Sequence, residues 1–220
     1  MVKIAPSILS ADFNKLGSEV KLVEESGGDL VHIDIMDGHF VPNLTIGPSV
    51  VSALRKNTKL PFDVHLMISE PDKYIEKFID AGADIIAVHP ESCVHLHRTL
   101  SLIKAKDVKV AIALNPSTPL TSIESVLGDL DMLVIMTVNP GFPAQKFIKS
   151  MVAKIKKAHE LLQKRGLTIE IEVDGGINVD TAPLAVQAGA DILVAGNAAF
   201  HGPAATLAEN IKLLKEAASK

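Results

Sequence analysis

Residues 25–36 read ESGGDLVHIDIM, and this stretch carries the pattern that organises the whole chain. Gly27 and Gly28 close a helical stretch, because glycine takes the left-handed conformation that ends a helix. Asp29 then opens a short run rich in Val and Ile, as a buried strand requires. The same punctuation returns as DAGADII at 80–86 and QAGADIL at 187–193, with strands starting at Asp84 and Asp191. Outward from these points the chain holds about eight such runs: VKIAPSIL, DLVHIDIM, FDVHLMI, DIIAVH, KVAIALN, MLVIMTV, TIEIEV and DILVAG. Amphipathic helical patterns separate them, as in PDKYIEKFIDAGA, where Pro71 suits a first turn and Gly82 a C-terminal cap. Repeated strand–helix–strand units imply parallel strands with right-handed crossovers, and eight of them predict a (β/α)8 TIM barrel forming one domain over residues 1–220. An open doubly wound sheet is the alternative, and the absence of G-x-G-x-x-G after the first strand argues against dinucleotide binding.

The 220 residues are 47% hydrophobic and 22% charged, with a formal net charge of −4. That balance gives no general attraction to nucleic acid or an anionic membrane, so any anion site must be local. Cys93 is the one cysteine, which excludes an intramolecular disulfide, and the start of the chain does not read as a secretory leader. A cytoplasmic location follows as the expectation, and the sequon NLT at Asn43 is read as a chance match.

In a barrel of this kind the chemistry sits at the C-terminal ends of the strands. The second strand offers His32 and Asp34, the third His65 and the seventh Asp174. On a strand, H-x-D places both side chains on one face about 6.6 Å apart. Two imidazoles and two carboxylates suit one divalent cation such as Zn, Fe, Mn or Co, which would also offset charge that is costly to bury. Asp34 and Asp174, coming from different strands, can serve as base and acid on opposite faces of one carbon, with a cation stabilising the enediolate. Met36, Met67 and Met136 could form an apolar cover. Glycine-bearing loops at Gly141, Gly175, Gly176 and Gly196 are candidates for a phosphate cradle. Asp37 is read as bonding the turn at Gly38, with His39 beside it. His95, His97 and His201 are read as solvent-facing or structural.

APSILSADF, HIDIMDGHFVPN, DVHLM, MTVNPGF, QKFI and EVDGGI together resemble the ribulose-phosphate 3-epimerase family, in order and across almost the full chain. The resemblance implies a ribulose-phosphate-binding barrel that interconverts D-ribulose 5-phosphate and D-xylulose 5-phosphate. It implies His32, Asp34, His65 and Asp174 as metal ligands, with Asp34 the proton acceptor and Asp174 the donor. It also implies Ser7 and His65 as substrate contacts, the loop residues Gly141, Phe142, Pro143, Ala144, Gly175, Gly176, Gly196 and Asn197 around the phosphate, and self-association into a homo-oligomer. Three positions depart from the family pattern: Pro143 and Ala144 stand where two glycines are usual, and Asn197 where serine is usual. Proline lacks an N–H, so one phosphate donor would be lost and affinity or sugar preference re-tuned. Related readings are an allulose 6-phosphate epimerase and a non-catalytic sugar-phosphate sensor. The decarboxylase and hexulose-phosphate synthase relatives need a lysine on the third strand, which FDVHLM lacks.

Overall fold

The computed structural model describes residues 2–219. Eight strands run β1 (Lys3–Pro6), β2 (Val31–Met36), β3 (Phe62–Met67), β4 (Ile85–Val88), β5 (Lys109–Leu114), β6 (Met132–Met136), β7 (Glu170–Asp174) and β8 (Ile192–Ala195). The helices are α1 (Leu16–Glu25), α2 (Pro48–Arg55), α3 (Ile75–Asp80), α4 (Leu96–Lys104), α5 (Met151–Arg165), α6 (Ala182–Gln187), α7 (Asn197–Phe200) and α8 (Leu207–Ala218). All seven ladders are parallel, in the order β1-β8-β7-β6-β5-β4-β3-β2. A single parallel bridge between Ser7 and His32 brings the two ends of that order together, giving the nearly closed (β/α)8 barrel.

The aspartates that punctuate the sequence turn out to be clasps. Asp29 donates its backbone N–H to the Ile4 carbonyl at 2.9 Å, while its carboxylate accepts the Ile4 N–H at 2.8 Å. Asp84 makes the same pair of bonds with Phe62, Asp131 with Val110 and Asp191 with Ile171. Each sits just before an even-numbered strand and grips the preceding odd-numbered one, supplying an acceptor to an N–H at the N-terminal end of the barrel. Asp131 belongs to the set although it lacks the Gly-Gly or Gly-Ala that immediately precedes the others.

Alternation along the strands divides the core in two. Ile4, Val31, Ile33, Ile35, Phe62, Val64 and Leu66 face outward, buried between the barrel and its helices. Ala5, Ala87, Ala111, Ala113, Met132, Val134, Ile192 and Val194 fill the interior. The expected helix after every strand fails once: between β5 and β6 only two 3-10 turns form, Leu120–Ile123 and Leu127–Asp129. Pro116, Pro119 and Gly128 fall in that segment and shorten any continuous helix. Elsewhere the punctuation holds, with Pro71 opening a 3-10 turn before α3 and Gly82 following that helix at φ 97°.

Candidate active site

Toward the mouth the interior-facing polar residues come from three strands: His32 and Asp34 on β2, Asp63 and His65 on β3, Glu172 and Asp174 on β7. Register sets His32 beside Asp63 and Asp34 beside His65. The result is two tiers, with Asp63 and Glu172 below, Asp34, His65 and Asp174 toward the mouth, and His32 facing both.

In the mouthward tier, His32 Nε2 lies 3.5 Å from Asp34 Oδ1 and 3.9 Å from Asp174 Oδ2, and His65 Nδ1 lies 3.6 and 3.5 Å from the same two oxygens. Both ring nitrogens are buried without a hydrogen-bond partner. The separations are at or beyond hydrogen-bond range, yet a tetrahedron of about 2.0–2.2 Å metal bonds has edges of roughly 3.3–3.6 Å. One ligand atom from each of the four residues lies within 4.8 Å of all the others, a set compatible with a divalent metal. The far nitrogen of each imidazole is held, as metal-bound histidines require. His32 Nδ1 donates to Asp63 Oδ2 at 2.6 Å, and His65 Nε2 lies 2.8 Å from His89 Nε2.

The electrostatics point the same way. Burial alone would strip the proton from His32, but the Asp63 and Asp34 charges hold its pKa well above the ordinary imidazole value. Burial also opposes the raised His65 pKa, which Asp174 and Asp34 bring about. Burial would raise Asp34, yet His32 and His65 keep it well below the usual carboxylate range. A divalent cation held between the same groups would offset carboxylate charge in place of imidazole protons, displacing those protons as it binds.

The lower tier is a different object. Asp63 and His32 are a hydrogen bond apart, too close to be two ligands of one ion. Glu172 Oε1 stands 3.7 Å from His32 Nδ1, and both Glu172 oxygens are buried without a hydrogen-bond partner. Burial, with the Asp63 charge beside it, pushes the Glu172 carboxyl well above the usual carboxylate range.

Above the tiers opens a cavity of about 480 Å³. Ser7, Asp34, Asp174, Met36, Met67, Met136, residues 141–144, Gly175, Gly176, Gly196 and Asn197 all line it. His32 and His65 do not: both are fully buried behind the carboxylates, so the direct substrate contact expected of His65 finds no cavity surface. Ser7 Oγ donates to Asp34 Oδ2 at 2.5 Å, leaving Oδ1 to the histidines. Asp34 therefore faces the two histidines with one oxygen and a hydroxyl at the cavity wall with the other.

The loop after β6 takes a glycine-like backbone at a residue that is not glycine. Ala144 sits at φ 58°, and Gln145 Nε2 donates to the carbonyls of Asn139 at 2.6 Å and Phe142 at 3.0 Å. Left-handed backbone costs a non-glycine residue about 1–2 kcal/mol, so the alanine is held there by its surroundings. Gly176, at φ 67°, presses the β7 loop against this one: a Cβ there would lie 2.5 Å from Phe147 N and 2.8 Å from Phe147 Cα. Asn43 of the sequon donates through Nδ2 to the Gly141 carbonyl at 2.8 Å, tying the β2 loop to the same wall.

Asp37 does bond the turn, accepting from the N–H groups of His39, Phe40 and Ser69. His201 reaches the Ser10 carbonyl at 2.9 Å, and its side chain is not part of the cavity lining. His95 immediately precedes α4, and His97 lies on it, largely exposed. Asp63, Glu172, His89 and Glu91 escaped the sequence reading. For the first two a signal existed, since D-x-H at 63–65 and E-x-D at 172–174 repeat the alternation of H-x-D at 32–34. Among the described residues no helix is long and apolar enough to cross a membrane.

Comparison with known proteins gives the chain a fold and a family. In backbone shape the chain matches 3-hexulose-6-phosphate synthase from Salmonella typhimurium, with a TM-score of 0.69, 18% identity, and coverage of 99% of this chain and 98% of that one. At that identity the likeness concerns the fold alone. In sequence it is 58% identical to a ribulose-phosphate 3-epimerase of Bacillus subtilis, over 91% of this chain and 93% of that protein. It is 52% identical to one of Synechocystis, over 92% and 89%. The model of the ribulose-phosphate 3 epimerase family matches residues 3–200, and the chain belongs to that family of isomerases.

Proposed function

We propose that this chain interconverts D-ribulose 5-phosphate and D-xylulose 5-phosphate by inverting C3, with His32, Asp34, His65 and Asp174 holding one divalent cation. The observation that carries the reading is the convergence of four imidazole and carboxylate donor atoms, each within 4.8 Å of the others, directly beneath a cavity that two of the same residues line. Asp34, kept ionised and steadied by Ser7, takes the C3 proton; Asp174, on β7, returns one from the other face. When bound, the cation supplies Lewis-acid stabilisation to the substrate oxygens flanking that carbon. Met36, Met67 and Met136 are all but fully buried and present thioethers and methylenes to the cavity, which limits water at the reacting carbon.

The phosphate is read onto the wall formed by the loops after β6, β7 and β8, where Gly141, Gly175, Gly176, Gly196 and Asn197 bring backbone close to the cavity. Pro143 supplies no N–H there, so the backbone grip is one donor weaker than a glycine would give. The test is product identity: purified protein loaded with Zn²⁺ or Mn²⁺, given D-ribulose 5-phosphate, D-allulose 6-phosphate or unphosphorylated ribulose, and assayed by chiral analysis. D-xylulose 5-phosphate as the fastest-formed product supports the reading. Faster turnover of the hexulose phosphate moves the assignment to a different epimerase.

A further inference from the structure

Resting on the cation reading above, we propose that His89 and Glu91 are positioning residues: together they fix the proton of His65 on Nε2 and leave Nδ1 a lone pair aimed at the cation. His89 directly follows β4, and its side chain is fully buried. Its ring lies 4.9 Å from that of His65 and 4.9 Å from Phe40 on another side, so it has little freedom to turn away.

The two Nε2 atoms, 2.8 Å apart, share one hydrogen, and only one of them can donate it. If His65 donates, its Nδ1 is a free lone pair facing Asp34 Oδ1 at 3.6 Å and Asp174 Oδ2 at 3.5 Å, which is the ligand position. If His89 donates to a neutral His65, Nδ1 of His65 must carry hydrogen and cannot ligate. The far side of His89 selects between these. Its Nδ1 is buried, has no hydrogen-bond partner, and faces Glu91 Oε2 at 3.6 Å. When His65 donates, that Nδ1 carries N–H toward the carboxylate; in the reverse arrangement it turns a lone pair on an anion. Glu91 is anchored in turn, accepting from Thr118 Oγ1 and, at 3.3 Å, from the Asn115 N–H. His32 has its acceptor directly in Asp63, whereas His65 has a neutral ring with a carboxylate behind it.

The experiment measures Zn²⁺ affinity of the metal-stripped full-length protein against a chromophoric chelator, for wild type, His89→Gln, His89→Leu and Glu91→Gln. Glutamine can accept from His65 Nε2–H with its oxygen and donate toward Glu91 with its nitrogen, so His89→Gln should stay within about threefold of wild type. His89→Leu removes the acceptor and should weaken binding by about 10–100-fold, the usual effect of losing such a support. Glu91→Gln should weaken it by about tenfold without touching either histidine. Equal affinity in all four proteins overturns the inference while leaving the cation reading intact, and so does a loss in His89→Gln as large as in His89→Leu. No Zn²⁺ binding by wild type overturns the cation reading itself. Should His89→Leu fail to fold, Glu91→Gln, altered on the cavity-distal side of His89, decides alone: unchanged affinity refutes the proposal.

Discussion

Replacing Asp84 with alanine should destabilise the barrel by about 2 kcal/mol and leave catalysis untouched. Its carboxylate accepts the N–H of fully buried Phe62 at 2.7 Å and an Arg55 guanidinium N–H at 2.9 Å. Losing a charged acceptor from a strand N–H costs about 1.5–3 kcal/mol. The Asp84 side chain is 52% exposed, which admits water and favours the lower half of that range. Arg55 adds at most about 0.5 kcal/mol, because it keeps the carbonyls of Thr58 and Leu60, each at 2.7 Å, and its place over the Phe62 ring at 3.8 Å. For a chain of this length about 2 kcal/mol lowers Tm by roughly 4–8 °C. Asp84→Asn keeps an acceptor without the charge and should cost about half as much. Urea unfolding with an unchanged m-value gives the stability difference, and kcat/KM at 25 °C should match wild type, because the clasp sits at the opposite end of the strands from the cavity. A stability change below about 0.5 kcal/mol would refute the clasp argument, and a large loss of kcat/KM in a folded variant would refute its separation from the site.

Ala144→Gly should raise stability by about 0.5–1 kcal/mol, the left-handed strain relieved less the chain entropy that glycine adds; thermal unfolding checks it, and a lowered Tm counts against a strained loop. Adding Pro143→Gly restores an N–H and should lower KM for ribulose 5-phosphate by about 10-fold, with no gain for unphosphorylated ribulose; equal effects on both would show that the loop does not read phosphate. Gly176→Ala should raise KM strongly with a smaller change in Zn²⁺ affinity, because its Cβ displaces the backbone at Phe147 and not the ligands. Glu91 is held down to about 2 although burial opposes it, His89 and Thr118 supplying the pull. Its folded pKa is depressed, so its stabilisation is complete above pH about 4.5 and is lost as pH falls toward 2. Because the group is only half-buried, wild type should lose about 1 kcal/mol more than Glu91→Gln between pH 5 and pH 3, measured by urea unfolding at each pH; parallel curves would contradict this.

The barrel was legible because its punctuation repeats: glycine, then aspartate, then an apolar run. What those aspartates bond to was not legible, since the partner residue lies 20 to 25 positions earlier and is identified by register alone. Asp131, in GDLD where the others follow Gly-Gly or Gly-Ala, lacks that punctuation and was not legible at all. The mouthward histidines and aspartates stood out because H-x-D on an apolar strand is costly unless matched. Asp63 and Glu172 carry the same parity two residues earlier, but a rule that looks only at strand ends passes over a second tier beneath the first. His89 follows an apolar run like any other strand end, and only the 2.8 Å approach of its ring to His65 marks it. Pro143 and Ala144 stand out in the sequence of the β6 loop, but that Ala144 takes a left-handed backbone there is seen only in the structure.

The most direct test of the account is exchange of the substrate C3 proton with D₂O, followed by NMR on metal-stripped protein before and after addition of one equivalent of Zn²⁺ or Mn²⁺. The account predicts deuterium at C3 of ribulose 5-phosphate and xylulose 5-phosphate only after the cation is added, and its near-abolition in Asp34→Asn. Exchange that proceeds equally without the cation, or that survives Asp34→Asn at the wild-type rate, would contradict it.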